Sequence, residues 1–235
     1  MRRKICDFLL LLLCSLLVVS GCTPGKVKGI SEKGKQASEL SVYNDAVSAL
    51  KQGKLKISKA LFRELSDVSP FSPLGEKAKC FYTELLYDGK DFAAAAGSAD
   101  EYILNYPVGK DLDYMLSIKG NAYFRMLRNF ANSTEFLDRA KDTFKELIRR
   151  FPGSKYVSDA REKLREIDEI LAEKIFSIGM FYFKEMNYHA AISRFTELIN
   201  GYPKTKCYSE ALSKRREAYK ALGIDITSSQ FTFVY

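Results

Sequence analysis

Side chains that commonly perform catalysis are scarce in this sequence of 235 residues. Its one histidine, His189, follows Asn187-Tyr188 at a predicted turn between two helices, where we expect a surface residue. Carboxylates such as Glu162 and Glu169 lie on a charged helical face, and no spacing sets two of them apart as an acid and a base. No CxxC pair and no cluster of His and Cys indicates a zinc site. We therefore expect no enzyme, no cofactor and no metal site. A peptidoglycan hydrolase, the enzymatic alternative, is disfavoured.

The N-terminal segment carries the one cysteine for which a chemical modification is predicted. A basic start, Met1-Arg2-Arg3-Lys4, precedes the apolar run Phe8–Val19, which is too short to span a bilayer and is followed by Ser20-Gly21-Cys22. Residues 1–21 resemble a bacterial lipoprotein signal peptide. The resemblance implies that Cys22 becomes the first residue of the mature chain and carries acyl chains, palmitate among them. An uncleaved signal anchor and an ordinary secretory signal with an incidental cysteine are the alternatives.

The lipid implied at Cys22 predicts where the chain resides. Each buried CH₂ group contributes roughly 0.8 kcal/mol, so several acyl chains anchor a protein stably. Thr23 stands where the bacterial sorting rule places an aspartate in inner-membrane lipoproteins. The resemblance therefore implies a lipid anchor at the periplasmic face of the outer membrane. Residues 22–40 are rich in Gly, Lys and Ser and predict a flexible tether between the lipid and the fold.

The composition excludes several classes of protein. The formal net charge of +8 is modest and is not concentrated in one segment, so we expect no nucleic-acid partner. The hydrophobic content of 46% is enough to bury a core, which excludes a wholly disordered chain. Of the five cysteines, only Cys80 and Cys207 lie in the predicted folded region, and we expect two separate thiols in apolar surroundings, with a disulfide between them as the alternative. A disulfide scaffold is therefore excluded.

Regularly placed prolines indicate a helical repeat. Each follows an amphipathic stretch, where a helix must end because proline lacks the N–H group. The four prolines are Pro70, Pro107, Pro152 and Pro203. The clearest unit starts near Ala172, ends at the last of these prolines, and carries small and large residues at fixed offsets. These residues are Gly179, Tyr182, Ala191, Phe195 and Leu198. The spacing matches the tetratricopeptide (TPR) pattern of two antiparallel helices with small residues where the backbones approach.

Weaker copies of this unit precede the other three prolines. The packing positions on their second helices are Ser58, Phe62 and Leu65, then Ala95, Ala99 and Tyr102, then Ala140, Phe144 and Leu147. The third copy has Gly120 and Tyr123 on its first helix and an insertion around Arg128–Phe136, which we expect to be a long loop between helices. A fifth first helix covers Tyr208–Leu222 and ends at Gly223. The predicted fold is all-α, a right-handed TPR superhelix of about four and a half helix-turn-helix repeats over residues 41–223.

One helix is predicted to be much longer than the others. Apolar residues from Val157 to Tyr182 recur at steps of three and four, and the stretch between Gly153 and Gly179 holds no Gly or Pro. This stripe predicts a single helix, about Lys155–Glu185, shared by the third and fourth repeats. Its opposite face carries charged residues and is predicted to face solvent.

Two further segments indicate a family. Ser69-Pro70-Phe71-Ser72-Pro73 ends the first repeat, and Tyr106-Pro107 with Asp113-Tyr114-Met115 leads into the third. With the lipoprotein signal, the insertion and the long shared helix, the chain resembles the BamD family, the TPR lipoproteins of the outer-membrane β-barrel assembly machinery. The family usually completes a fifth repeat. Here residues 224–235 are a short, β-prone, aromatic tail that we expect to cap the last helix or to be disordered, with binding to a partner as the alternative.

The resemblance implies a scaffold without catalysis that binds BamA-like POTRA domains, other Bam lipoproteins and unfolded β-barrel precursors. It implies a BamA contact on the fourth and fifth repeats with Arg194 as the candidate residue, and a solvated arginine is the alternative. Precursor binding is implied for a groove along the first helices of the first two repeats. Candidate groove residues, each with ordinary packing as the alternative, are Tyr43, Val47, Lys77, Glu84 and Tyr87. The alternative function is that of another periplasmic TPR lipoprotein, an adaptor for a protease or for peptidoglycan and cell-division machinery.

Overall fold

Every regular element in the described part of the chain is an α-helix. The computed structural model describes residues 32–126 and 135–224. The helices of these residues are α1 (Glu32–Lys51), α2 (Leu55–Val68), α3 (Pro73–Asp88), α4 (Phe92–Asn105), α5 (Leu112–Met126), α6 (Glu135–Arg150), α7 (Val157–Lys184), α8 (Tyr188–Gly201) and α9 (Tyr208–Ala221). By its internal contacts the chain divides into residues 1–38 and residues 39–235, and the repeats lie in the second unit. The predicted all-α TPR superhelix is confirmed.

Two boundaries differ from those predicted. α1 begins at Glu32, whereas a flexible tether was predicted up to residue 40. Residues 32–40 include Glu, Lys, Gln, Ala and Leu, which favour helix without forming an apolar stripe, so no periodic pattern indicated these first turns of the helix. The predicted inter-helix loop also ends earlier than expected, because Phe136 already lies in α6. The rest of that insertion lies outside the described residues, as do residues 1–31, with the predicted signal peptide and Cys22, and residues 225–235.

Tight turns of one design join the two helices of repeats one, two and four. The turns contain Gly53, Lys90 and Met186, whose φ angles are 72°, 63° and 59°. In the second and fourth repeats the next residue caps the second helix: Asp91 accepts a bond from the Ala94 N–H group and Asn187 from Ala190. Each turn therefore reverses the chain within a few residues and holds the two helices antiparallel.

Prolines end the second helix of each repeat. Each lies two residues beyond the last helical residue, as the pairs Val68 and Pro70, Asn105 and Pro107, Arg150 and Pro152, and Gly201 and Pro203 show. The intervening residue is held out of the helical region, as at Tyr106 with φ −126° and ψ 64°. The proline ring causes this, because it clashes with a helical conformation in the residue before it. The predicted role of the four prolines is confirmed.

A large side chain on the second helix packs against a small residue on the first. At Gly179 an added Cβ atom would lie 2.6 Å from Cε1 of Phe195, and at Gly120 it would lie 2.6 Å from Cε1 of Phe144. In the first repeat Ala46 and Phe62 are 16 residues apart, as Gly179 and Phe195 are, and both are fully buried. The second repeat has Thr83 and Ala99 at these positions. In the first, third and fourth repeats the small residue therefore gives the aromatic ring room between the two backbones.

The long helix α7 belongs to two core clusters. Ala160, Ile167 and Leu171 in its first half are buried with residues of α3 to α6. Ala172, the next residue, is buried with Phe195 and other residues of α8 and α9. The predicted long helix shared by the third and fourth repeats is thereby confirmed, with bounds Val157–Lys184 in place of Lys155–Glu185. A third cluster, around Phe62, holds α1, α2 and α3 together.

Substitutions of two glycines test the packing rule. Gly179→Ala should lower the free energy of unfolding by about 1–3 kcal/mol, because the new methyl group overlaps the ring of Phe195. Gly97→Ala is the matched control, since nothing lies within 4 Å of a Cβ atom there and α4 gains a better helix former. It should raise stability by about 0.5–1 kcal/mol. Urea unfolding followed by circular dichroism measures both, and equal effects of the two substitutions would contradict the rule.

Candidate partner-binding surfaces

Two of the predicted groove residues pack against the core of the first repeat. The ring of Tyr43 lies 5.8 Å from that of Phe62 and 6.2 Å from that of Phe81, both in edge-to-face geometry. Val47 contacts the same cluster. Burial raises the pKa of the Tyr43 phenol above its usual value. Both side chains are half-buried, so only part of each is available to a partner.

The other three predicted groove residues lie on α3. Lys77 is exposed, and Glu84 and Tyr87 are half-buried. Burial, followed by the hydrogen bond to Glu84, raises the pKa of the Tyr114 phenol, which places Glu84 beside α5. The ring of Tyr87 meets that of Phe92 edge-on at 5.4 Å. Glu84 therefore lies where the second repeat meets the third, and the charges of Arg125 on α5 and Lys163 on α7 are among those that act on the Tyr87 phenol.

Side chains of α5 and α7 extend this region into one surface. Tyr114 stacks on Tyr156 just before α7, with ring centroids 5.3 Å apart. The ammonium group of Lys163 lies over the ring of Phe124 at 4.7 Å. The side-chain amide of Asn121 donates to Asp159 at 3.3 Å. We call this region the first-helix surface, made of Glu84, Tyr87, Tyr114, Asn121, Phe124, Tyr156, Asp159 and Lys163.

The first-helix surface has the chemistry to hold an extended polypeptide. Its aromatic rings are half-buried in rigid helices, so they offer apolar area at little cost in side-chain entropy. Cationic groups lie over ring faces, as Lys163 over Phe124 and Arg125 over Phe92 do. Arg125 is exposed to acidic groups of a ligand, whereas Lys163 is already paired with Glu166 at 2.8 Å. Tyr114, Phe124, Tyr156 and Lys163 were missed by the sequence reasoning. The adjacent aromatic residues Tyr123-Phe124 near the end of α5 were the feature of the sequence that could have indicated this surface.

A second groove lies between the second helices of the first two repeats. It has a volume of about 660 Å³, with Tyr82 and Leu86 of α3 among its lining residues. Lys56, Lys59 and Arg63 from α2 line it together with acidic residues. Beside it, Lys79 is buried and forms an ion pair with Glu101, and its ammonium group lies 5.7 Å from the ring centre of Tyr82. The mixed charge of this groove favours no single class of ligand.

Arg194 is exposed on α8, one residue before the buried Phe195. Its guanidinium group forms an ion pair with Glu197 at 2.6 Å, and the two side chains are 44% and 48% exposed. The pair spans one turn of a single helix in water, where such a pair contributes less than about 1 kcal/mol to stability. The structure therefore leaves this guanidinium group accessible to an acidic partner.

The remaining reactive side chains lie apart from one another. His189 is exposed and is the second residue of α8. Glu162 is exposed, but Glu169 accepts the backbone N–H of Lys206 at 3.1 Å and so fixes the turn before α9. Within residues 32–126 and 135–224, no group of His, Cys, Asp and Glu could hold a metal ion. No helix in these ranges is long and apolar enough to cross a membrane.

Comparison with known proteins identifies the family. A family model described as "Outer membrane lipoprotein" (YfiO) matches residues 35–231. The chain belongs to this family. It is 29% identical over 225 residues to the outer membrane protein assembly factor BamD of Rickettsia prowazekii, covering 94% of this chain and 89% of the relative. The BamD of Caulobacter vibrioides is 28% identical, covering 88% of this chain and 68% of the relative.

The resemblance to the BamD family inferred from the sequence is thereby confirmed. Solved structures similar to the chain include TPR domains. One is the TPR2AB domain of yeast Sti1 in a complex with pHSP90, at 12% identity and a TM-score of 0.45, covering 80% of this chain and 72% of that one.

The two thiols of the described residues should differ in reactivity. Cys80 and Cys207 are both free, as predicted. Burial, reinforced by the nearby Asp111 carboxylate, raises the pKa of the Cys80 thiol from 9.0 to about 12, and Cys80 is only 9% exposed. Iodoacetamide at about pH 8 should therefore modify the half-buried Cys207 and spare Cys80, because the thiolate is the nucleophile. Mass spectrometry of tryptic peptides measures this, and unfolded protein, in which both thiols should react, is the control.

The free energy of unfolding should depend on pH through the ionisation of the Cys80 thiol. The unfolded Cys80 thiol ionises near 9.0 and the folded thiol near about 12, so the folded state holds its proton more tightly. The contribution of Cys80 to stability is therefore complete below pH 9 and is lost as the pH rises towards 12. A Cys80→Ala variant should show a smaller loss of stability over this interval than the natural chain. An identical loss in the two proteins would contradict the assignment.

Proposed function

We propose that the chain is a lipid-anchored TPR scaffold for outer membrane protein assembly. Its lipid would be carried by Cys22 and would hold it at the periplasmic face of the outer membrane. Its partners are BamA-like POTRA domains, other Bam lipoproteins and unfolded β-barrel precursors. The observation that carries the proposal is the YfiO match over residues 35–231, which includes every described repeat. The relatives of similar length are outer membrane protein assembly factors.

The first-helix surface is the better candidate for precursor binding than the cluster around Tyr43. An unfolded β-barrel segment alternates apolar and polar side chains and offers unpaired backbone groups. Half-exposed rings such as Tyr87 and Phe124 suit the apolar side chains of such a segment. Charged groups such as Lys163 suit its polar side chains and its unpaired backbone groups. Glu84 and Tyr87 therefore keep their predicted role, and Lys77 lies exposed on the same helix.

Arg194 is the candidate for the BamA contact. Its ion pair with Glu197 is exposed, so the arginine can exchange this carboxylate for one on a POTRA domain at little cost in free energy. Its neighbours Ala191 and Phe195 are fully buried, which fixes α8 and therefore the direction in which the guanidinium group projects. Charge attraction of this kind contributes mainly to specificity and to the rate of association.

Reversal of the charge at Arg194 tests the BamA contact. Arg194→Glu should reduce co-purification of BamA from solubilised outer membranes by about tenfold, because attraction becomes repulsion in a partly desolvated interface. Lys145→Glu makes the same change of charge on an exposed position of α6 and should leave co-purification unchanged. Thermal unfolding should be nearly equal in the two variants. Undiminished capture of BamA by a folded Arg194→Glu variant would remove the assignment.

Site-specific photocrosslinking tests precursor binding. A photoreactive residue in place of Lys77, Tyr87 or Arg125 should crosslink to unfolded β-barrel precursors during their export, because all three lie on first helices of the second and third repeats. The same residue in place of Lys90, at the exposed turn between α3 and α4, is the control and should capture much less. Equal yields at all four positions would show that capture depends on exposure alone.

A further inference from the structure

Four large apolar side chains project into solvent at two neighbouring turns. Val68 and Phe71, at the turn between α2 and α3, are 69% and 88% exposed. Leu104 and Val108, at the turn between α4 and α5, are 79% and 93% exposed. We call these four residues the apolar edge. Single exposed apolar residues are ordinary on protein surfaces, but several on adjacent turns form a patch that needs an explanation.

The two turns that carry the apolar edge are bonded to each other. The hydroxyl group of Tyr106 donates a hydrogen bond to the carbonyl oxygen of Pro70. The ring of Tyr106 packs on that of Tyr102 at 4.8 Å, and the Tyr102 hydroxyl donates to Glu76 at 2.7 Å. The four side chains are therefore displayed on a fixed base. These side chains could fold back onto the core only if the contacts of Tyr106 and Tyr102 were broken.

The apolar character is confined to the first two inter-repeat turns. Phe71 and Val108 each follow the proline that ends a repeat. The residues at the same position after Pro152 and Pro203 are Gly153 and Lys204. A structural requirement of the TPR turn would apply to all four turns, so it does not account for Phe71 and Val108. The feature belongs to the N-terminal repeats, which are the repeats nearest to Cys22 along the chain.

The apolar edge lies on the side of the first repeat where the chain enters that repeat. α1 and α2 are antiparallel, because the Ser58 hydroxyl donates to the Ala46 carbonyl at 2.9 Å and the ring of Tyr43 meets that of Phe62. The chain therefore joins the first repeat on the side where α2 ends, which is the side of Val68 and Phe71. Residues 23–31 separate Cys22 from α1. The ten residue steps from Cys22 to Glu32 span at most about 33–36 Å when fully extended, which limits how far an anchored Cys22 can lie from the start of α1.

We propose that the apolar edge inserts into the lipid leaflet that holds the acyl chains of Cys22. The inference rests on the proposed lipid anchoring and adds a second, protein-mediated contact with the bilayer that sets the orientation of the superhelix. Transfer of Phe71, Val108 and their neighbours from water into the interface is favourable in proportion to their apolar area. The tips of both turns also carry a proline, Pro70 or Pro107, which has no N–H group to desolvate.

Apolar area, not charge, drives the proposed contact. Lys110 is the exposed cation that follows Val108 closely in the chain, and Arg63 near the end of α2 is paired with Asp67 at 3.6 Å. Because this part of the surface offers little net charge, binding should respond weakly to salt. A leaflet of zwitterionic phospholipid should therefore be as effective as one that contains anionic lipid.

The absence of tryptophan from the sequence allows a direct test. Phe71→Trp and Val108→Trp variants of the full acylated protein are each reconstituted into vesicles of phosphatidylethanolamine and phosphatidylglycerol. Each tryptophan should emit at shorter wavelength than in the vesicle-free protein and should be quenched by lipids brominated along the acyl chain. Met186→Trp is the matched control, because Met186 is 75% exposed at a turn within a repeat, and neither change should occur.

A combined variant tests whether the apolar side chains cause the insertion. Leu104→Trp reports on the edge, and quenching of this tryptophan by brominated lipid should be lost when Phe71→Ser and Val108→Ser are added. The vesicles must still float with the protein, which shows that the acyl chains hold it. Unquenched emission from the Phe71→Trp protein while it is anchored would overturn the inference and leave the proposed scaffold function intact.

Other occupants of the edge have distinct signatures. An emission shift that appears without vesicles and grows with protein concentration would identify a second copy of the chain as the occupant and overturn the inference. A shift that requires a co-purified protein would overturn it in favour of that protein. If mass spectrometry finds no acyl chain on Cys22 and the protein does not float with vesicles, the inference fails together with the proposed anchor. The BamA contact at Arg194 would still stand on its own test.

Discussion

The contact between a large side chain and a facing small residue determines the distance between the two helices of a repeat. In the third and fourth repeats the ring of a phenylalanine fills the space that a glycine leaves, and a single added carbon atom would overlap that ring. In the first repeat Ala46 and Phe62 occupy these positions and both are fully buried. The short turns and the terminating prolines orient the helices, but the interior close packing is what makes two amphipathic helices into one stable unit. Stacking of such units then produces the extended surfaces on which partners can bind.

The second repeat departs from this rule in an instructive way. It has Thr83 on the first helix and Ala99 on the second, so here the larger of the two side chains belongs to the first helix. The hydroxyl groups of Thr83 and Ser98 lie 2.7 Å apart and the Thr83 hydroxyl is also 2.8 Å from the Lys79 carbonyl oxygen, so its buried polar atom is satisfied. The same repeat contains a buried lysine, Lys79, paired with Glu101. This repeat is therefore held by polar contacts where the others rely on an aromatic ring.

Much of the fold followed from the sequence because the determinants are local. Proline positions mark where helices end, and residues three and four apart mark which face is buried, so the long helix and the last helix were both predicted closely. The start of α1 was not, since helix formers without an apolar stripe carry no periodic signal. The family resemblance depended on the order of such local features and agrees with the comparison.

The candidate surfaces were harder to predict because they are formed by contacts between repeats. The pairs Tyr114–Tyr156 and Lys163–Phe124 join residues about 40 positions apart, and they depend on how far each repeat is rotated relative to the next. A pattern read within one repeat does not contain that rotation. It places Tyr43 and Tyr87 at related positions on their helices, although one ring packs on Phe62 and Phe81 and the other packs on Phe92, where charges of the third and fourth repeats also act on it.

The continuity of α7 has a mechanical consequence. Leu171 and Ala172 are adjacent in one unbroken helix, yet they belong to different core clusters. A helix of 28 residues is about 42 Å long and resists bending, so the chain has no hinge where one cluster gives way to the next. A force applied to α8 or α9 is therefore passed to the third repeat as tilt of a stiff lever. A partner bound at the third repeat is therefore displaced when the fourth repeat is pulled.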